Sequence, residues 1–476
     1  MTYPADKAQV QHKTSLPFAS LVLASLTCLT AGPLNASSIV KLAPLESSAA
    51  ALSIASAEDL PEGWKYLPAL DLYIVDERGR DHLNALDADG SVEEREEDAD
   101  IQLETLPNDP MADSQGWIEG FHVDIGAQEA WEVTTGSKSV VVAVIDTGIS
   151  ANHPDLIPNL WINEGEIPGN GRDDDGNGYV DDVHGFDFWG DEGDVTDENG
   201  HGSHLAGIIG AAGNDGFGVA GINWNVRILP LKFTDAAGTG SSALAIEAID
   251  YAIQNGARVI NASWTLKLDG VKGSGWESSN LLRQAIDKAG EAGILFVTAA
   301  GNQFKTYQGL DIDSQPVYPA SFDTDNMMTV AALDSEGALA AYSNYGPVTV
   351  DIAAPGSGIY STGANGQYVV MSGTSIATAF VSGAAALILS VAPDLDWYQV
   401  KSILVDSVEG EASLNGKIAS QGYLNLANAL VAATGEAIPA PAPSVSPTVD
   451  GASSAFSPSP SRAFAFPAGG CSLIQE

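Results

Sequence analysis

Seven residues, Gly373-Thr374-Ser375-Ile376-Ala377-Thr378-Ala379, put a serine where an apolar helix should begin. The alanine-rich run from Ala377 to Ile388 is long enough for a buried helix. A hydroxyl in its first turn lies among backbone N–H groups with no intrahelical partner, and these can stabilise developing negative charge. A serine hydroxyl is a weak nucleophile until a base takes its proton, so the chain must also supply a histidine and a carboxylate to orient it. The histidines are His12, His82, His122, His153, His184, His201 and His204. His201 stands out in Asn199-Gly200-His201-Gly202-Ser203-His204-Leu205-Ala206-Gly207, where glycines allow close backbone approach and Leu205 to Ala212 reads as a helix. The carboxylate candidate is Asp146 in Val141-Val142-Ala143-Val144-Ile145-Asp146-Thr147-Gly148, at the carboxyl end of an apolar strand. Each residue alone has an ordinary reading, as a helix cap or a turn. Together they can perform acyl transfer: the serine attacks, the histidine carries its proton, and the aspartate holds the imidazole.

Such residues need a rigid scaffold. Val140–Ile145, Arg227–Leu231, Val259–Ala262 and Ile294–Thr298 are compact apolar strands, and Ala243–Gln254 and Asn280–Glu291 are amphipathic helices between them. That alternation predicts an α/β fold with a mostly parallel sheet and helices on both faces. Active sites of open α/β sheets collect at the carboxyl ends of the strands, where Asp146 would stand.

These blocks resemble those of the subtilisin-like serine peptidases, the subtilases. Asp146-Thr147-Gly148, His201-Gly202-Ser203-His204-Leu205-Ala206-Gly207 and Gly373-Thr374-Ser375-Ile376-Ala377 occur in the family's order, and similarity runs from about Gly116 to about Ala432. Ser343-Asn344-Tyr345-Gly346 and Ala354-Pro355-Gly356 resemble two framework loops. Ala299-Ala300-Gly301-Asn302 is similar to the block carrying the oxyanion asparagine, which implies that Asn302 and the Ser375 amide stabilise the oxyanion. The resemblance also implies that Ser263, Trp264 and Thr265 form one edge of the substrate cleft and Gly238, Thr239 and Gly240 the other. An extended peptide would add there as a strand. Three departures stand out: Ile376, Ala379-Phe380 behind the serine, and Thr265 where relatives often have glycine. Thr265, or the longer segment Lys267 to Ser279, is expected to narrow the primary pocket in favour of small side chains.

A second chemistry is suggested by Asn170-Gly171-Arg172-Asp173-Asp174-Asp175-Gly176-Asn177-Gly178-Tyr179-Val180-Asp181-Asp182. Asp173, Asp175 and Asn177 alternate as in the first half of an EF-hand loop, with the Tyr179 carbonyl next and Asp181 or Asp182 closing the shell. The terminal glutamate of a true EF-hand is absent, and His184 stands there. Hard oxygen donors at this spacing favour Ca2+. The resemblance implies a further calcium site from Asp155, Asn214 and the carbonyls of Ala212, Gly216 and Gly218. His204, three residues after His201, is read as a framework residue rather than a metal partner.

Residues 1–36 read as a signal peptide: Lys7 and Lys13 precede an apolar run from Leu16 to Ala31. Residues 37–106 are expected to be a small α+β propeptide, with a strand over Leu67 to Val75 and a helix from His82 to Ala88. Asn108 would begin the mature enzyme. Residues 107–434 form the catalytic domain, and 435–476 a Pro/Ser/Ala-rich disordered tail. Loss of the signal removes Cys28 and leaves Cys471 alone, so no intrachain disulfide is expected. The net charge of −42 argues against nonspecific nucleic-acid binding. The expected partners are polypeptide substrates and the protein's own propeptide, with no nucleic acid, no stable membrane span after signal removal, and a monomeric state. The leading expectation is an exported, calcium-stabilised serine endopeptidase made as a zymogen. A narrow-specificity maturation peptidase is an alternative within the same fold. A calcium-dependent binding protein on an inactive scaffold is an alternative of another class.

Overall fold

The computed structural model describes residues 38–42, 60–67, 72–88, 91–97, 106–118, 123–266 and 281–435. The expected signal, the tail after Gly435, both cysteines and the whole segment Lys267 to Ser279 lie outside the described residues. The chain divides into two units, Met1–Ile101 and Gln102–Glu476.

In the first unit, β1 (Ser38–Leu42), β2 (Trp64–Leu67), β3 (Leu72–Val75) and β4 (Val92–Glu97) form a sheet in the order β2-β3-β1-β4, accompanied by α1 (Arg80–Ala88). Trp64, Val40, Val75, Leu83 and Leu86 make its core. The run expected as one strand over Leu67 to Val75 is split between two strands, because Leu67 ends β2 and pairs antiparallel with Leu72 at the start of β3. Pro68 has no amide proton to give to a ladder, so it does not favour one continuous strand.

The second unit begins with α2 (Ala127–Val133), β5 (Gly136–Asp146), β6 (Phe186–Asp187), α3 (His201–Gly210), β7 (Asn225–Lys232), α4 (Ser242–Gln254) and β8 (Val259–Ala262). It continues with α5 (Leu281–Glu291), β9 (Leu295–Ala299), β10 (Met327–Leu333), β11 (Ile352–Pro355), β12 (Ile359–Thr362) and β13 (Tyr368–Met371). It ends with α6 (Thr374–Val391), α7 (Trp397–Asp406), β14 (Glu409–Gly410), β15 (Gly422–Tyr423) and α8 (Leu426–Thr434). The main sheet has the order β14-β15-β11-β10-β9-β8-β5-β7-β6, and only β14 runs antiparallel to its neighbour.

Strand alternation separates two cores. Val140, Val142 and Val144 of β5 face α2, α3 and α6, whereas Val141, Ala143 and Ile145 face α4 and α5. This is the period of two expected of a strand covered on both faces. The strand order departs in both directions from β5, to β7 on one side and to β8 on the other, so Asp146 ends the strand at the topological switch. Helix α6 is buried at every residue from Thr374 to Leu389. It is long and apolar enough to cross a membrane by composition, yet 89% of it is buried inside the fold. Phe380 and Trp117 meet edge to face at 5.2 Å, and Ile376 and Ala379 pack beside them, so the departures behind the serine serve as core filling.

Candidate active site and cation loops

Strand ends and helix starts bring the candidate catalytic residues to one edge. Asp146 ends β5, His201 opens α3, Ser375 lies in the first turn of α6, and Asn302 follows β9. The helix expected over Leu205 to Ala212 begins four residues earlier, which places His201 itself in the first turn. His201 Nδ1 donates to Asp146 Oδ1 at 2.7 Å, with both side chains buried. Asp146 Oδ1 also accepts the Thr147 amide at 2.8 Å, so the carboxylate is fixed from two sides. The imidazole is thereby oriented with Nε2 as the nitrogen that can exchange a proton.

The Ser375 hydroxyl is buried and makes no hydrogen bond among the described residues. Contacts to and from the histidine of such sites commonly close only around a bound substrate. Asn302 Oδ1 accepts the Thr374 amide at 2.9 Å, which fixes the side-chain amide with its nitrogen on the opposite side. A Cβ on Gly373 would lie 2.8 Å from Ser375 Oγ and 3.5 Å from Asn302 Nδ2. The space beside Gly373 is therefore bordered by a hydroxyl nucleophile and an amide donor. Tyr342 Oη and the Gly373 amide both donate to the Gly356 carbonyl, at 2.7 and 2.8 Å, and pin the turn.

Sequence reasoning missed Asp197, the hub that locks this geometry. Its Oδ1 accepts the Thr147 hydroxyl and the Asn199 and Gly200 amides; its Oδ2 accepts the Ser203 amide and hydroxyl. One buried carboxylate thus ties the end of β5 to the start of α3. His204 is buried with Nε2 donating to the Ile359 carbonyl at 3.0 Å, and burial pushes its pKa down to about 3. It is a neutral framework group.

On the cleft edges, the backbone amides and carbonyls of Ser263, Trp264 and Thr265 have no backbone partner among the described residues, which leaves them open to an added strand. Their side chains divide. The Trp264 indole faces inward, donates to the Ile145 carbonyl at 3.1 Å and packs on Phe233, so only its backbone serves the edge. Ser263 Oγ donates to the Ser375 carbonyl at 2.9 Å. Thr265 Cγ2 and Val317 Cγ1 each lie 3.5 Å from where a Gly301 Cβ would stand, beside Asn302. Val317 was not read from the sequence. Opposite, Gly238 and Thr239 are occupied by a turn in which Asp235 takes their amides, whereas Gly240 is held against Phe233 so closely that a Cβ would meet its carbonyl at 2.6 Å.

The acidic loop brings Glu166, which was not expected there, together with Asp173 and Asp175. Oxygens of Glu166, Asp173 and Asp175 lie within 4.8 Å of one another. Glu166 Oε1 accepts the Asp174 and Asp175 amides, and Oε2 is buried with no partner, an arrangement that fits a cation. The Gly178 amide, followed by those of Gly176 and Asn177, holds the Asp173 carboxyl below its usual range. Asn177 caps the loop through the Tyr179 amide and donates to Asp182 at 2.8 Å. Asp182 is turned into the core, where it also accepts Tyr251 Oη and Asn163 Nδ2; it anchors the loop instead of closing the cluster. The Tyr179 ring packs among Phe186, Phe188 and Tyr251.

Asp155 and Asn214 both lie near Asp109, at a second locus. Asp155 Oδ2 accepts the Val219 amide and Tyr368 Oη, each at 2.9 Å, while Oδ1 is buried without a partner. Burial pushes the Asp155 pKa up to about 6, helped by Asp215 and Asp109. Asp109 was not expected there. Its carboxylate accepts the Asn214 amide at 2.6 Å and the Asp215 amide at 3.2 Å, while Asn108 exchanges bonds with Asn214 and Gly216. Of the expected carbonyl donors, that of Gly218 accepts the Met111 amide.

Residues 137–427 match the family model described as the subtilase family. The chain is 35% identical over 284 residues to thermitase of Thermoactinomyces vulgaris, covering 60% of this chain and 85% of that protein. It is 35% identical over 337 residues to subtilisin-like protease 1 of Plasmodium berghei (strain Anka), covering 68% of this chain and 54% of that protein. The chain thus spans about half the length of the Plasmodium relative. A solved structure of proteases from Pseudoalteromonas arctica PAMC 21717 aligns with a TM-score of 0.53 at 28% identity, covering 69% of this chain and 99% of that one.

Proposed function

This chain belongs to the subtilase family, and from that premise we propose that it is a serine endopeptidase hydrolysing polypeptides through an acyl-enzyme. The observation that carries the proposal is the space beside Gly373, shared by Ser375 Oγ and Asn302 Nδ2. Ser375 attacks the scissile carbonyl while His201 Nε2 takes its proton and later delivers it to the leaving amine. Asp146 keeps the imidazole oriented and stabilises the imidazolium. Asn302 Nδ2 and the Ser375 amide receive the oxyanion, and an amide donor of this type lowers the barrier by about 3 kcal/mol. The substrate backbone adds beside Ser263–Thr265, with Gly240 on the far edge. Ser375→Ala should abolish both casein digestion and labelling by a serine-reactive phosphonate. A wild-type protein that is neither active nor labelled would overturn the assignment in favour of a binding role.

Ca2+ is the ion proposed for both loops. Glu166, Asp173 and Asp175 would hold one ion, and Asp155, Asn214 and Asp109 the other. The partnerless Glu166 Oε2 and Asp155 Oδ1 support this reading, as do the hard oxygen donors. Bound there, the ion would brace the loops without entering the chemistry. Residues 1–36 are proposed to direct export and residues 37–106 to act as a propeptide. The side chains of Thr265 and Val317 beside Gly301 support a restricted pocket, and so a maturation peptidase as the second reading. Mass mapping of the mature N-terminus tests the zymogen proposal, and cleavage of casein against a single defined precursor separates the two peptidase readings.

A further inference from the structure

Helix and strand periodicities bring four buried polar groups into a line. Ser375 and Ser382 are seven residues apart on α6, two turns along one face. Asn261 and Ser263 are two residues apart along β8 and its extension, again on one face. Ser382 Oγ donates to Asn261 Oδ1, Asn261 Nδ2 donates to Ser263 Oγ, and Ser263 Oγ donates to the Ser375 carbonyl, each at 2.9 Å. Asn261 and Ser382 are wholly buried, and Ser263 and Ser375 are 3% and 4% exposed.

The direction of this chain is dictated from one end. A carbonyl only accepts, so the Ser263 hydroxyl must give its proton to Ser375. Its lone pairs then face Asn261, which must present its NH2 group. That leaves Asn261 Oδ1 pointing to α6, and the Ser382 hydroxyl satisfies it. Removing Ser382 leaves a buried acceptor without a donor and frees the amide to turn over.

We propose that Ser382, Asn261 and Ser263 form a one-way hydrogen-bond relay that sets the nucleophile's turn in register with the strand edge that receives the substrate. Ser382 and Asn261 are positioning residues: both act through Ser263 on the Ser375 peptide. The relay joins the backbone of the attacking residue to the edge Ser263–Thr265, so substrate and nucleophile are held in one frame. An error of about 1 Å in that frame is enough to cost on the order of a hundredfold in rate. The inference rests on the serine endopeptidase reading and names which residues align its site.

The test is a double-mutant cycle on the full-length protein with Ser382→Ala, Ser263→Ala and the pair, read by kcat and KM on a peptide substrate, phosphonate labelling and melting temperature. Ser382→Ala should lower kcat about tenfold at temperatures well below melting, with KM within twofold. In the Ser263→Ala background the same change should have no further effect on kcat, because the relay is already cut. Full additivity of the two changes in kcat would overturn the proposal. So would a Ser382→Ala protein that melts earlier but keeps its kcat, which marks a purely structural bond. A wild-type protein that cannot be labelled would instead remove the endopeptidase reading beneath it.

Discussion

Gly373→Ala is a direct probe of the reaction space, because the backbone tolerates it and the space does not. Gly373 has φ 162° and ψ 163°, extended backbone that alanine can adopt. The added methyl would lie 2.8 Å from Ser375 Oγ, against the roughly 3.5 Å at which non-bonded heavy atoms settle. Two relaxations are open, and both are damaging. If Ser375 keeps its rotamer, the methyl occupies the place of the incoming carbonyl and separates it from Asn302 Nδ2, 3.5 Å away. Loss of that donor alone corresponds to about 10²–10³ in kcat. If Ser375 rotates, the nucleophile leaves its line of attack. Either way kcat/KM should fall at least about a hundredfold, equivalent to ~2.7 kcal/mol of barrier. Beyond the Ser375 hydroxyl, the next atoms lie at 3.5 and 3.7 Å, ordinary contact distances, so the melting temperature should change little. The assay is hydrolysis of a chromogenic peptide alongside phosphonate labelling and calorimetry. Activity within tenfold of wild type, in a protein as stable as wild type, would refute the assignment of this space to the reacting carbonyl.

Three further outcomes are expected. His204 keeps a folded pKa of about 3 against roughly 6.5 unfolded, so between those values only the unfolded chain takes up the proton and stability falls as pH falls. In a Ser375→Ala background, which prevents self-digestion, His204→Gln should flatten the acid side of the stability curve by up to ~1.4 kcal/mol per pH unit; equal slopes would disprove this. Chelation should lower the melting temperature of the same Ser375→Ala protein by the several degrees that match ~2.7 kcal/mol at a hundredfold excess over Kd. Glu166→Gln and Asp155→Asn should each remove part of that chelator-sensitive shift, and an unchanged melting temperature in excess chelator would count against both loops. Thr265→Gly combined with Val317→Gly should raise kcat/KM for a large aromatic residue before the cleaved bond by at least about tenfold relative to alanine, and an unchanged ratio would place the primary pocket elsewhere.

The parts legible in the sequence are those in which neighbours along the chain dictate the structure. The short, valine-rich run ending in Asp146 reads by length and β-branching as a buried strand, and the longer run after Ser375 as a buried helix, so their ends were readable. Asp173 and Asp175 were readable as neighbours, because alternate positions of one short acidic loop bring their oxygens close. Glu166 was not, since it reaches the cluster through the amides of Asp174 and Asp175, a loop closure that no periodicity encodes. Asp109 meets Asn214 across 105 residues, and Ser382 meets Asn261 across 121. Such contacts are set by the finished packing of the sheet. Asp197 carries no local signal, because the five donors that converge on it come from two segments of the chain.

The burial of α6 has a consequence for when this protein acquires reactivity. The helix that carries Ser375 touches β5, β8, β9, β10 and β11, and no face of it meets water before its last turn. A helix of this kind gains its stability from packing rather than from its own hydrogen bonds, so it forms together with the core. The nucleophile's turn therefore belongs to the most cooperative unit of the fold, and fraying of surface loops leaves it standing. On the serine endopeptidase reading, a chain in which α6 has not yet packed would hold Ser375 away from His201 and Asp146, so self-cleavage would wait for the core.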